Sequence, residues 1–244
     1  MYVIIFKITN QESGDFIKMK RVISFLLLFC ILCCSCQEKT KSRIDMTPNE
    51  RLQLALDDIF KAEAYDLNIE IKYDIIDGDK SYEYNTHIRK DTLDGVQRVH
   101  LQRIKGDDTS DEYYIGTSYC SPEGKLLNPN YTFTLSSETM LNDFSMDTFG
   151  DYTYVDGEDY KTYKFIVPTK MLDGLLNKDT GMTATQAEGS IILGFDGYPK
   201  GYRIKCTSKY WNNEHSFYEY DMKITVTINH VGENTPAVEI PFEI

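Results

Sequence analysis

Leu67, Ile69, Ile71, Tyr73 and Ile75 alternate without a break against Asn68, Glu70, Lys72 and Asp74. A period of two sends successive side chains to opposite sides of an extended chain, so this segment reads as a strand with one buried face and one wet face. Asp77-Gly78 comes next, and then a second alternating run at Tyr82, Tyr84, Thr86 and Ile88. An Asp-Gly pair between two such runs marks a hairpin, because these residues tolerate the positive φ of a tight turn. Further strand-like runs lie near 96–105, 111–120, 130–135, 152–155, 160–167, 187–195, 200–210, 216–229 and 237–243, and Asp94-Gly95, Asp156-Gly157 and Asp196-Gly197 punctuate them. Parallel pairing would need a crossover of a dozen or more residues between strands, and most of these gaps are far shorter. The expected framework is therefore a large antiparallel sheet.

Helices are few. Thr47-Pro48-Asn49-Glu50 spells a capping box with proline at the first helical position, and Leu52, Ala55, Leu56, Ile59 and Phe60 then recur at helical spacing. This predicts a helix over 48–63 whose apolar face packs on the sheet. A short helix is expected around Ser137 to Phe144, and another after Pro168, where Met171, Leu172, Leu175 and Leu176 cluster. Asn177 to Gln186, rich in Thr, Gly and Asp, reads as a loop. Pro236 to Ile244 reads as a last edge strand blunted by Pro241. The fold class is α+β.

The N-terminal region has a different character. Lys20-Arg21 precedes the apolar run Val22 to Leu32 and then Cys33-Cys34-Ser35-Cys36. Two basic residues, an apolar core too short to span a bilayer, and a small residue before cysteine are the parts of a secretory signal. Leu32 to Cys36, followed by polar Gln37-Glu38-Lys39-Thr40, resembles a bacterial lipobox, and that resemblance implies cleavage before Cys36 and diacylation of its thiol. Cys34 is the second candidate, and an uncleaved membrane anchor the alternative. Met19 begins such a signal well, which leaves 1–18 as an extension outside it. The reading is then 19–35 signal, 36–46 tether and 47–244 one domain.

Without residues 1–35 the chain holds 22 basic against 36 acidic residues, a net of −14 compared with −12 for the whole sequence. Nucleic-acid binding rests on clustered Lys and Arg, and beyond the signal no basic run exceeds Arg89-Lys90. No nucleic-acid partner is expected. Of the six cysteines only Cys120 and Cys206 remain in the domain. Outside the cytoplasm they are either a disulfide or two separate thiols.

No constellation for catalysis stands out. His87, His100, His215 and His230 lack zinc-hydrolase spacing, and neither a Gly-x-Ser-x-Gly elbow nor a glycine-rich phosphate loop is present. The acidic groups at Asp77-Gly78-Asp79, Asp107-Asp108 and Asp156 to Asp159 do not fit a calcium loop and read as turn residues. Glu138, Asp143 and Asp147 read as exposed charges. The chain is expected to be no enzyme and to need neither cofactor nor metal. The suggestive residues are aromatic: Tyr113-Tyr114, Tyr119, Tyr152, Tyr154, Tyr160, Tyr163, Phe165, Trp211, Phe217, Tyr218 and Tyr220. An apolar ring with a polar tip suits a ligand cleft, and equally suits cross-strand packing in a wide sheet.

The order of elements, from lipidated tether through capped helix, antiparallel strands and an interrupting helix near 168–177, carries a resemblance together with two further segments. These are Ile191 to Lys205 with its Asp196-Gly197 turn, and Thr225-Val226-Thr227-Ile228-Asn229 through Val238-Glu239-Ile240-Pro241. The whole resembles the LolA-like and LppX/LprG-like group of exported lipoproteins, and related lipoprotein domains of Gram-positive bacteria, over about residues 47–244. The resemblance implies a curved antiparallel sheet, a half-barrel, wrapped around helices, with an apolar concavity for a lipid or other hydrophobic ligand. Under it Leu52, Leu56, Ile59, Phe60, Ile69, Ile71 and Tyr73 shape the concavity. The alternatives are that these residues form a closed core, and that the protein is a surface adaptor for an envelope protein partner.

Cys36→Ala is expected to release the protein from the membrane fraction. Mass analysis of the N-terminal peptide checks the assignment, since continued lipidation of this variant would point to Cys34.

Overall fold

The computed structural model describes residues 42–142, 145–146, 151–168, 171–176, 181–211 and 217–242; the signal region, with Met19, Cys34 and Cys36, lies outside the described residues. Residues Arg43–Ile244 make up one unit. After a 3-10 turn at Arg43–Asp45, helix α1 runs Pro48–Phe60. Its capping box is formed: the Glu50 amide donates to Thr47 Oγ1 at 3.3 Å, and the Thr47 amide donates to the Glu50 carboxylate at 2.8 Å. Arg51, buried on this helix, donates to the carbonyls of Arg43, Ile44 and Met46 at 3.1, 3.2 and 2.8 Å and so binds the incoming chain to α1. The helix stops at Phe60, short of the expected 63, because Lys61 leaves helical geometry before the chain enters the sheet at Tyr65.

The strands are β1 (Tyr65–Ile75), β2 (Ser81–Leu93), β3 (Val96–Lys105), β4 (Asp108–Ile115), β5 (Ser118–Cys120), β6 (Leu126–Asn128), β7 (Tyr152–Asp156), β8 (Tyr160–Ile166), β9 (Met182–Gly194), β10 (Pro199–Trp211) and β11 (Phe217–Val231). They form one open sheet of 11 antiparallel strands in the order β6-β5-β4-β3-β2-β1-β11-β10-β9-β8-β7. Two meanders are thus joined where the first strand meets the last, with Ile69 opposite Val226 and Ile71 opposite Ile224. Leu67, Ile88, Leu101, Ile191, Tyr202 and Ile224 all face one side and are buried, and side chains from β1 through β4 and β8 through β11 join a single core. A sheet this wide can close one core only by curling round its helices. α1 supplies Leu52, Ala55, Leu56 and Ile59; two short helices, α2 (Leu135–Thr139) and α3 (Leu172–Leu175), supply Leu135, Leu172 and Leu175.

The opposite face is mostly wet, except where the C-terminal segment lies across β2 to β5. Asp91 accepts from Arg98 Nε and from the Val238 amide, both at 2.8 Å, and Phe242 meets the Tyr113 ring edge-on at 5.5 Å. This segment is not the expected edge strand. Pro236 and Pro241 have no N–H to donate to a ladder, and the Val238 amide is taken by a carboxylate instead.

Other departures have similar local causes. The strand expected at 130–135 is an approach to α2 that belongs to no strand and is tied to Thr117 by the Tyr131 amide at 2.9 Å; Ser137 then donates backbone and side chain to the Thr134 carbonyl and turns the chain helical. The helix expected to reach Phe144 ends at Met140, whose φ of 58° is left-handed. The single strand expected over 111–120 is split at Gly116, φ 60°, and β6 carried no alternating signal. Within the expected loop 177–186, Met182 to Gln186 begin β9, where Met182 and Ala184 pair with Tyr210 and Ser208. Residues 177–180 lie outside the described residues.

Cys120 and Cys206 are both free and buried. They lie on β5 and β10 with five strands between them. Cys206 belongs to the core face, whereas Cys120 pairs with Tyr113 on the opposite face under the C-terminal segment. The pairing is ruled out by distance and by direction.

Gly189 is where the core is tightest. A Cβ there would lie 2.2 Å from Phe165 Cζ and 2.8 Å from Ile204 Cδ1. Gly189→Ala is expected to destabilise the domain by about 1–3 kcal/mol through overpacking, read as a lowered urea midpoint with unchanged slope.

Candidate functional site

The alternation that buries one face of the sheet changes character toward one end of the central strands. Small and aliphatic residues give way to tyrosine: Tyr73 on β1, Tyr82 and Tyr84 on β2, Tyr210 on β10 and Tyr220 on β11. With Met140 and Met182 they line a groove of about 340 Å³. Register explains the gathering, since Tyr73 lies opposite Tyr82 on one side and Met222 on the other, while Tyr210 lies opposite Met182 and Tyr218. The Tyr73 ring meets Tyr84 and Tyr220 edge-on, with centroids 6.1 and 6.0 Å apart, an arrangement that aromatic quadrupoles favour. Its hydroxyl donates to the Met140 thioether at 2.6 Å.

Among the described residues the groove's lining carries no formal charge. Burial, with Tyr84, Cys206 and Tyr220 nearby, holds the Tyr73 phenol above its ordinary range, and burial acts likewise on Tyr220. Both stay protonated at neutral pH. The Cys206 thiol, close to Tyr73, is pushed up to about 12 by burial and by Asp221, so it is no ready nucleophile. Next to it on β10, Ser208 is wholly buried, and its hydroxyl has no hydrogen-bond partner among the described residues. Lys105 Nζ lies 5.6 Å over the Tyr84 ring. Among the described residues the lining is phenol, thioether and aromatic face.

A partly buried ion network holds the helix that carries the chain to Met140. Arg103 on β3 grips Glu138 of α2 with two bonds, at 2.7 and 3.1 Å, and reaches Glu112 at 3.3 Å; Tyr114 donates to the same Glu112 at 2.7 Å. Glu138 is therefore a buried anchor and not the exposed charge its sequence context suggested. Burial raises its carboxyl above the ordinary range against the pull of Arg103. The clamp fixes α2 on the sheet and so places Met140, the next residue, against Tyr73. Asp143 and Asp147 lie outside the described residues.

Most of the residues expected to shape a concavity do not reach the groove. Leu52, Leu56, Ile59, Ile69 and Ile71 are buried in the closed core. Phe60 packs at its margin, 5.9 Å from the Tyr202 ring. Tyr73 alone of that set lines the groove. The aromatic residues divide by location. Tyr114 and Tyr119 stack at 4.9 Å beside Tyr131, Tyr152 and Tyr154 pack on Tyr163, Phe165 is core, and Tyr113 stacks on His100 at 4.7 Å on the far face. Tyr160 is exposed, and Tyr220 belongs to the groove with Tyr218 beside it. The side chains of Trp211 and Phe217 lie outside the described residues. Sequence reading missed Met140 and Met182, which stand in a turn and in a segment read as loop; alternating tyrosines on β2 were the usable signal.

Three larger hollows are charged: one of about 380 Å³ beside Asp74, Glu188, Lys205 and Asp221, and two of about 670 Å³ each. Of the latter two, one, on the opposite sheet face, is lined by Lys164, Glu188, Arg203 and Lys205; the other holds Arg43, Asp58, Lys61 and Lys200. Among the described residues no group of three or more His, Cys, Asp or Glu converges as a metal site would require.

No protein-family model and no curated protein matches the sequence. Among solved structures the chain is similar to a LolA superfamily protein from Nitrosomonas europaea, with 9% identity and a TM-score of 0.22, over 79% of this chain and 96% of that one. It is also similar to a domain from Vibrio parahaemolyticus provisionally named an outer membrane lipoprotein-sorting protein domain, with 6% identity and a TM-score of 0.17, over 72% and 88% of the two chains.

Glu138→Ala removes the clamp on α2. A fully buried pair broken this way costs about 3–5 kcal/mol; because Arg103 is half exposed and keeps Glu112, a loss nearer 2 kcal/mol is expected. Hydrogen exchange should rise at 135–140 and leave β9 and β10 unchanged.

Proposed function

We propose that the protein is an exported lipoprotein, held to the bacterial membrane by a diacylated Cys36, that binds a hydrophobic ligand such as a lipid in the tyrosine and methionine groove and performs no catalysis. The observation that supports this is the groove's lining: among the described residues, five tyrosines and two methionines and no charged group, in a hollow of about 340 Å³. Small-molecule sites occupy roughly 300–1,000 Å³. The groove lies at the lower end, so it suits one short chain or ring system in place of a pair of full acyl chains. Methionine adapts to irregular apolar shapes, and tyrosine rings add rigid surface with a hydroxyl at the rim.

A second reading has its own support. Tyr82 and Tyr84 are each 39% exposed at the groove's open side. Half-exposed aromatics around a neutral hollow also suit an adaptor that receives an apolar side chain from an envelope protein.

Titration with cis-parinaric acid, a fluorescent fatty acid, distinguishes the two, alongside mass spectrometry of lipid extracted from the purified protein. Saturable binding is expected. Tyr82→Ala combined with Tyr84→Ala should weaken it about tenfold, near 1.4 kcal/mol for two aromatic contacts, while Tyr160→Ala at the other end of the sheet should leave it unchanged. Absence of saturable binding together with no enriched lipid would remove the carrier reading and leave the adaptor.

A further inference from the structure

The tips of hairpins are ordinarily polar, since they face water. Three tips in this sheet break the pattern in the same way, with an exposed apolar residue on both sides of the turn, whereas the Ile76-Asp77-Gly78 turn at the other end has one on a single side. Leu93-Asp94-Gly95-Val96 joins β2 to β3, Phe195-Asp196-Gly197-Tyr198 joins β9 to β10, and Val155-Asp156-Gly157-Glu158-Asp159-Tyr160 joins β7 to β8. In each an Asp-Gly turn is flanked by large apolar residues. Leu93, Val96, Val155, Tyr160, Phe195 and Tyr198 are 42–61% exposed.

All three tips lie at one end of the sheet. Tyr160 lies opposite Gly194, Pro199 opposite Leu193, Val231 opposite Tyr65, and Tyr65 opposite Lys90 near the end of β2. The chain also enters the domain at this end, because the Arg43 guanidinium stacks 3.9 Å over the Tyr198 ring, next to exposed Ile44. The groove lies at the other end. Tyr73, Tyr82 and Tyr220 stand where β1 finishes and β2 and β11 begin, and Tyr210 stands near the end of β10. The 13 residues of β10 separate the two ends by about 40 Å at 3.3 Å per residue.

We infer that these three tips form a surface that docks on the lipid bilayer carrying the anchor, with the groove held at the far end and open to the surroundings. The inference rests on the proposed lipidation of Cys36. Only Gln37 to Ser42 separate that cysteine from Arg43. Seven Cα steps span at most about 25 Å, so Arg43 and the tips around it stay within that distance of the membrane surface while the groove need not. Aromatic and aliphatic residues beside lysine and arginine suit the headgroup layer: Lys161 lies 5.5 Å over the Phe195 ring and Arg43 over Tyr198. The acidic residues at the tips decide which lipid. Asp94, Asp156, Glu158, Asp159 and Asp196 outnumber the cations there, and Asp156 is already paired with Lys161 at 2.7 Å. The surface therefore favours a zwitterionic headgroup over an anionic one. A ligand reaches the groove from the space beyond the membrane, or from a partner there, and not by vertical extraction from the bilayer beneath.

The test uses the full lipoprotein in phosphatidylcholine vesicles, with an environment-sensitive bimane on Leu93→Cys, Phe195→Cys or, at the groove end, Ile76→Cys. Labels at 93 and 195 should lose about half their emission to nitroxide carried on the lipid acyl chains and resist aqueous iodide, while the label at 76 does the reverse. Adding phosphatidylglycerol should weaken the protection at 93 and 195. Equal iodide access at all three sites, in protein that floats with the vesicles, overturns the docking surface and leaves anchoring intact. Protection at 93 and 195 without vesicles would show self-association and also overturn it. Protein that does not float, with an unmodified Cys36 by mass, overturns the anchoring on which the inference rests and leaves binding in the groove untouched.

Discussion

The ladder between β1 and β11 is the interaction on which the rest of this structure depends. Each meander can form from neighbouring hairpins, but neither can close a core alone, because the apolar faces of both halves are completed only when Leu67, Ile69 and Ile71 meet Ile228, Val226 and Ile224. The joined strands lie more than 140 residues apart in sequence, from Tyr65 with Val231 to Ile75 with Tyr220. Closing so long a loop costs entropy before any contact is gained, which marks this pairing as a late and cooperative step. It also leaves the sheet's free edges on β6 and β7, strands of three and five residues, the short edges that resist pairing with other chains.

Polar groups hold the shape that the apolar core cannot specify. Asp66, buried where β2, β1 and β11 run side by side, accepts from Asn229 at 2.6 Å, Arg89 at 3.1 Å and bonds His87 at 3.0 Å. Burial alone would raise this carboxyl, yet those partners outweigh it and hold it below the ordinary range. Its stabilising contribution is therefore present at neutral pH and is lost as pH falls through that lowered value. Arg103 with Glu138, and Asp91 with Arg98 and the Val238 amide, fix a short helix and the C-terminal segment in the same way. Each joins pieces that are distant in sequence and carry little apolar surface of their own.

Function follows from how the two ends of the sheet differ. One end collects neutral tyrosine and methionine into a groove; the other presents apolar hairpin tips beside the point where the chain enters. Among the described residues α2 ends at Thr139, and the left-handed backbone of Met140 turns the chain and makes its sulfur part of the groove wall.

Period-two alternation and Asp-Gly turns determined the antiparallel sheet, and Thr47-Pro48-Asn49-Glu50 determined where the first helix begins, because these are local rules satisfied within a few residues. They did not extend to segments shaped by partners elsewhere. Glu138 is buried only because Arg103 stands across the sheet, Met182 lies in a strand only because Tyr210 offers it a place, and Pro236 to Phe242 follows the carboxylate of Asp91 in place of a ladder. The site was legible in part: Tyr73 was singled out, but Leu52, Leu56 and Ile59 proved to be closed core. Which apolar residues fill a core and which line a hollow is decided by tertiary contacts. The sequence by itself determined the strands and the faces they present; only the folded arrangement decided which parts of those faces became core and which, among the described residues, line the groove.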